Sequence, residues 1–267
     1  MANPYATVVI CSMTKPVKVL ECLERQTFKD FEVIVASEKG IVNAMNCALA
    51  KAKGEIFIRV DDDVDIPSEW LEELLKPFQT MWIAGATGPT FVPRDRRQNR
   101  DSIKIWEKPN WFFWWLMDRR RFAPAAIYKS GSVSYDSNYH ERFKGREETF
   151  IPDHLEGTNW AMRTELIRQV GGFDPIFDGV AEWFDTDVEQ KVQNLGYLLH
   201  YNPKAYLWHL LEQGEHYNDR FDGIGRIKNW LRYHKRHSKF HPKMIVFLVL
   251  WSLYFIQKDI KNWFHVA

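Results

Sequence analysis

The sequence predicts an α/β fold with a mostly parallel central sheet flanked by helices. Three observations carry this. Short, β-branched runs at 6–11 (ATVVIC), 31–36 (FEVIVA) and 55–60 (EIFIRV) have the length and content of buried strands. The segments between them place apolar residues at helical spacing. The turns between these units are short, and strand–helix–strand units of this kind close as parallel pairs.

Taken in order, the first strand ends at Ser12 and Thr14. Pro16 then opens a helix to about residue 26, with Val17, Val19, Leu20 and Leu23 along it. The second strand ends at Ser37 and Glu38. From Gly40 to Lys53 a helix carries Ile41, Ala44, Met45, Ala48 and Leu49 on one stripe and stops at Gly54. The third strand runs straight into Asp61-Asp62-Asp63. Ligands of parallel sheets bind beyond the carboxyl ends of strands, so these three ends mark the expected site. Pro67 opens a further helix with Trp70, Leu71, Leu74 and Leu75, and a strand is expected near 82–92.

Residues 93–155 differ. They are rich in Arg, Asp and Trp, with WFFWW at 111–115 and RRR at 119–121, and have no clean period. Such a length points to an elaborated insertion. Regular pattern returns with GTNWAMR (157–163), a helix at 164–170, the turn GGFDP (171–175), a helix near 185–195 and a strand near 198–208 that ends in Trp208-His209. Residues 1–215 read as the catalytic domain and 216–267 as a helical tail. In that tail 226–243 is basic with interleaved aromatics, and 244–256 (MIVFLVLWSLYFI) is almost wholly apolar. The apolar run is shorter than the roughly 20 residues a spanning helix needs. It suits a helix lying in a membrane interface, or one packed on the domain.

Bulk properties narrow the classes. A net charge of +1 excludes a general polyanion binder. Twelve Trp residues favour aromatic-lined sites or a membrane interface. Cys11, Cys22 and Cys47 form no CxxC pair, which argues against a disulfide framework or a zinc site and for a reducing compartment. The N-terminus reads as a strand rather than a signal peptide, so the expected location is cytoplasmic, at the periphery of a membrane. Basic residues beside an apolar run suit an anionic membrane surface. A nucleic-acid partner would leave the apolar run unexplained.

Three adjacent carboxylates repel one another unless a cation neutralises them. At a strand end they offer oxygen ligands to Mn²⁺ or Mg²⁺, which can hold a substrate diphosphate. The plainer alternative is a solvated acidic turn capping the next helix.

The stretches LECLERQTFKDFEVIVA (20–36), GIVNAMNCALAKAKGEIFIRVDDD (40–63), GTNWAMRTELIRQVGGFDPIF (157–177) and FDTDVEQKVQNLGYLLHYNPKAYLWH (184–209) together resemble glycosyltransferase family 2, with its GT-A fold. The resemblance spans most of 6–209 but neither 93–155 nor the tail. It implies an inverting transferase using a nucleoside-diphosphate sugar, a UDP-sugar ahead of a GDP-sugar; the basic, apolar tail adds the expectation of a lipid-linked or surface-glycan acceptor at a membrane. Asp61 and Asp63 match the metal-binding DxD element, Asp62 its ribose-side neighbour, and His209 a metal or diphosphate contact. Asp185 matches the catalytic base. Ser12, Thr14, Glu38 and Asn43 fall around the nucleotide. Gly157, Thr158, Asn159, Trp160 and Glu182 fall around the sugar and acceptor. Several positions depart from the family pattern. Ser37 stands where an Asp is usual, Met45 where an Arg is usual, with Arg59 able to replace its charge, and Phe184 where a Glu is usual. Asp187 is read as a structural helix-start carboxylate. The alternatives are a soluble transferase for a protein, nucleic-acid or small-molecule acceptor, and a non-catalytic nucleotide-sugar-binding module. The second would not need Asp185.

Overall fold

The computed structural model describes residues 3–13, 17–93, 111–118, 125–134, 146–180, 182–211 and 222–266. Its elements are β1 (Ala6–Cys11), α1 (Val17–Glu24), β2 (Phe31–Ala36), α2 (Ile41–Lys51), β3 (Ile56–Asp61), β4 (Val64–Asp65), α3 (Trp70–Leu75), β5 (Ile83–Thr87), β6 (Thr90–Phe91), α4 (Trp111–Leu116), β7 (Asn159–Arg163), α5 (Thr164–Gln169), α6 (Phe184–Gln193), β8 (Leu198–Tyr201), β9 (Leu207–His209), α7 (Gly223–His237) and α8 (Pro242–Val266).

The main sheet has six strands in the order β2-β1-β3-β7-β5-β8, and a smaller sheet has the order β4-β9-β6. β1 pairs parallel with β2 and β3, β5 pairs parallel with β8, and β7 runs antiparallel between β3 and β5. The sheet is therefore mostly parallel, as expected, with one reversed strand at its centre. The single strand expected near 82–92 is two, β5 and β6. The one expected near 198–208 is β8 and β9, which belong to different sheets.

Period-two alternation divides the core between the two faces of the sheet. Val8 and Ile10, Ile58 and Val60, and Ala161 point to the face covered by α1 and α3. Val9, Phe57, Trp160 and Met162 point to the face covered by α2, α5 and α6. Gly54, between α2 and β3, is required for close approach. A Cβ there would lie 2.4 Å from the Ala6 carbonyl carbon.

The tail does two things at once. Trp230 and Tyr233 of α7, and Met244 of α8, join the core on the α2 side, with Phe247, Leu248 and Trp251 packed against them. The opposite face of α8 is exposed. No helix among the described residues is long and apolar enough to cross a membrane.

Candidate active site

On β3, Phe57 faces the α2–α6 side, so Arg59 and Asp61, two and four residues on, point the same way beyond the core. The β3–β7 register sets Val60 against Asn159, which brings Thr158 alongside Asp61. The Thr158 hydroxyl donates to Asp61 Oδ2 at 2.8 Å. The small sheet supplies the third partner. Val64 pairs with His209, and the Leu210 amide donates to the Asp63 carbonyl at 2.8 Å. His209 Nε2 then lies 3.0 Å from Asp63 Oδ1 and 3.8 Å from Asp61 Oδ2.

One ligand atom from each of Asp61, Asp63 and His209 falls within 4.8 Å of the others. All three side chains are mostly shielded from water. Two hard oxygens and one imidazole nitrogen this close form a donor set that a divalent cation such as Mn²⁺ fits. Asp62 is half-buried between them and is not a member of this group.

Arg59 joins this group to Asp185. Its Nη1 is 3.1 Å from Asp185 Oδ2 and its Nη2 is 3.5 Å from Asp61 Oδ1. The guanidinium also lies over the Phe184 ring, 5.1 Å from its centroid. Burial works against its charge, but Asp61 and Asp185 outweigh burial and hold its pKa above the ordinary value. The other Asp185 oxygen, Oδ1, accepts the Thr186 amide at 2.9 Å at the start of α6. Gly157 lies against this pair. A Cβ there would be 2.9 Å from Asp185 Oδ2 and 3.2 Å from Arg59 Nη1.

The segment bearing Asp185 is held from α7. Arg226 pairs with Glu182 at 3.0 Å, and the buried Asn229 amide donates to the Glu182 and Phe177 carbonyls. Trp183 is buried with φ 74°, a left-handed conformation that costs a side chain such as Trp about 1–3 kcal/mol. Tyr233 covers its ring at 4.5 Å between centroids, with His234 at 5.1 Å. Asp187 has the structural role expected of it. It is fully buried and pairs with Lys191, Arg236 and His237, each at 2.7 Å. Burial pushes its pKa up, but those partners outweigh burial and bring it down to about 2. One turn beyond Asp185, Glu189 is buried and accepts from the Trp160 indole at 2.6 Å and the Leu155 amide at 3.0 Å. Burial, reinforced by the charge of Asp185, raises its pKa well above the carboxylate range. Burial likewise raises that of Glu182, with Arg226 opposing.

Two expected sugar-facing side chains are framework instead. Trp160 is fully buried, with its ring in the core and its N–H on Glu189. Asn159 is also fully buried. It accepts from the Trp70 indole and donates to the Pro89 and Ala205 carbonyls. Starting an interior strand turned both inward, and their polar atoms are used within the fold. Ser12 is buried at the end of β1, its amide on the Ala36 carbonyl. Glu38 is at the end of β2, paired with Lys51. Asn43 is exposed on α2, donating to the Lys39 carbonyl. Thr14 lies outside the described residues.

The family model described as glycosyl transferase family 2 matches residues 8–171, which is most of the chain. The chain belongs to glycosyl transferase family 2. Its fold is that of solved transferases. The mannosyltransferase PcManGT from Pyrobaculum calidifontis, in complex with GDP-Man and Mn²⁺, aligns at TM-score 0.54 and 15% identity, over 96% of this chain and 70% of that one. GalNAc-T7 with UDP, GalNAc and Mn²⁺ aligns at TM-score 0.53 and 15% identity, over 87% of this chain and 48% of that one. A search of curated proteins by sequence gave no match.

What sequence reasoning missed in this transferase is the support behind Asp185. The four-residue spacing of Asp185 and Glu189 was a visible signal that both sit on one helix face. The grip of Arg226, Asn229, Arg236 and His237 had none, because it crosses about 50 residues of chain.

Proposed function

We propose that the transferase moves a sugar from a nucleoside-diphosphate sugar to an acceptor hydroxyl with inversion at the anomeric carbon. One observation carries this reading. Arg59 spans Asp61 and Asp185, so a single carboxylate stands one guanidinium away from the three-ligand group. Asp185 takes the proton of the acceptor hydroxyl as that oxygen attacks the anomeric carbon and the bond to the diphosphate oxygen breaks on the opposite face. Arg59 orients Asp185, and Gly157 leaves that carboxylate unobstructed.

Asp61, Asp63 and His209 would hold Mn²⁺ or Mg²⁺, which when bound neutralises charge on the departing diphosphate. The imidazole among the ligands favours manganese. Thr158 fixes Asp61 through its hydroxyl. Ser12, Glu38 and Asp62 stand at the strand ends, where the nucleoside would lie. The solved neighbours carry GDP-Man in one case and UDP with GalNAc in the other, which supports a GDP- or UDP-sugar as donor. The acceptor is a lipid-linked or surface glycan, a reading supported by the exposed apolar face of α8.

The test is Asp185→Asn. Transfer should fall by about 10²–10⁴-fold. The thermal shift given by nucleotide sugar with Mn²⁺ should remain. Normal turnover by this variant would remove Asp185 from the base role, and a product of retained anomeric configuration would overturn inversion.

A further inference from the structure

Among the described residues, the packing of α8 leaves one helix face without a partner. Met244, Phe247, Leu248, Trp251 and Phe255 turn toward α7 and the core. Ile245, Val249 and Leu253 stand on the opposite side at i, i+4 and i+8, and are 55%, 52% and 56% exposed, with Leu250 and Tyr254 exposed beside them. This stripe is about 12 Å long. Because α8 continues as one helix to Val266, its last turns cannot fold back over the stripe. Phe240, in the turn before the helix, is 72% exposed.

A second exposed aromatic group is tied to the same helix. Lys243, in the first turn of α8, pairs with Asp118 at 2.8 Å and donates to the Trp115 carbonyl. That anchors α4, on which Trp111 is 80% exposed and Trp114 is partly so.

Charge decides what can cover this face. From Gly223 to Gln257 there are seven Lys or Arg residues and no Asp or Glu; Arg226, Arg236 and Lys243 pair with acids elsewhere in the fold, which leaves Lys228, Arg232, Lys235 and Lys239 to set the charge of this surface. Lys228 and Lys235 are exposed on α7, and Lys239 follows it. A second copy docking here would bring two such basic segments together. An anionic surface would be attracted, and a bilayer also accepts apolar and indole side chains at headgroup depth.

We propose that the outward face of α8, with Phe240, Trp111 and Trp114, is a docking surface for a bilayer containing anionic lipid. It rests on the reading of a membrane-borne acceptor for its purpose, though its binding to lipid can be measured apart from transfer. The helix lies along the surface, with Lys228, Lys235 and Lys239 meeting the headgroups. Docking would present the active site to an acceptor held in that membrane.

The experiment is sedimentation of the full chain with two kinds of vesicle, phosphatidylcholine alone and phosphatidylcholine with phosphatidylglycerol. Binding should require phosphatidylglycerol and weaken with salt. The Val249→Glu/Leu253→Glu variant should lose at least about tenfold in partitioning. Replacing Lys228, Lys235 and Lys239 singly by Gln should cost roughly fivefold each. Both sets of changes are exposed, so melting temperature and the donor-induced thermal shift should be unchanged. Equal vesicle binding by the glutamate variant, or no binding by the parent chain, would overturn the lipid surface and leave sugar transfer standing. A dimer in the parent chain that the glutamate variant abolishes would assign the face to a second copy, against the proposal. Vesicle binding by a chain that neither binds nor hydrolyses nucleotide sugar would keep the surface and sink the transfer reading.

Discussion

Asp61 and Asp185 flank the same guanidinium, yet they are held there by different means. Asp61 ends a strand whose backbone is paired on both sides; Thr158 sits in the turn that leads directly into the adjoining β7, and His209 is on β9, whose register is fixed by β4 just beyond β3. Asp185 begins a helix preceded by a strained Trp183, and that segment is gripped by side chains from α7. A position set by sheet register is shared among many backbone hydrogen bonds. A position set by a few side-chain contacts depends on each one. The group of Asp61, Asp63 and His209 should therefore resist distant substitutions, and Asp185 should not.

The largest effect should come from removing a ligand of the sheet-held group. Asp63→Ala should weaken Mn²⁺-dependent donor binding by at least about 100-fold, measured by titration calorimetry, because it also leaves His209 without its 3.0 Å partner. Mn²⁺-dependent donor binding of unchanged strength in this variant would remove Asp63 from the metal-holding group. Next is Asn229→Ala, which touches only the helix-held side. Losing two buried hydrogen bonds should cost about 1–3 kcal/mol of stability. Displacing the Asp185 segment should lower kcat by about tenfold with donor KM unchanged. Equal damage to both parameters would mean that the two supports are not separate.

The last effect is a pH dependence to which the grip contributes. Burial, helped by the neighbouring His237, brings the pKa of His234 from its ordinary 6.5 down to about 4, against the hydrogen bond to Gly131. The unfolded chain thus binds a proton that the folded chain refuses between those values. The contribution of His234 is complete above about 6.5 and is lost as pH drops toward 4, by up to roughly 3 kcal/mol. Asp187 adds a second loss as pH falls from 3.8 toward about 2. His234→Gln should flatten the fall of melting temperature across the upper window. An unchanged slope would place the sensitivity elsewhere.

Much of the donor side was legible in the chain. The strands ending at Cys11, Ala36 and Asp61 follow from local β-branched runs, and the crossover helices between them force parallel pairing. Asp61 and Asp63 could be named from the acidic strand end, and Asp185 from the resemblance to the family. β7 could not be recognised as a strand, because NWAMR does not alternate polar and apolar as a half-exposed strand would. It is interior on both faces, so its side chains were free to be large, small or hydrogen-bonded. For the same reason Trp160 and Asn159 looked functional and are internal.

Sequence by itself determined the order of elements, the acidic strand end and the basic, apolar character of the tail, because these rest on local periodicity and charge. Tertiary structure decided that His209 meets Asp63, that Arg59 ties Asp61 to Asp185, and that α7 braces the Asp185 segment. It also decided which face of the 244–256 run packs and which is left outward. Each of these depends on contacts between residues far apart in the chain, and local pattern carries no information about which distant side chain will arrive.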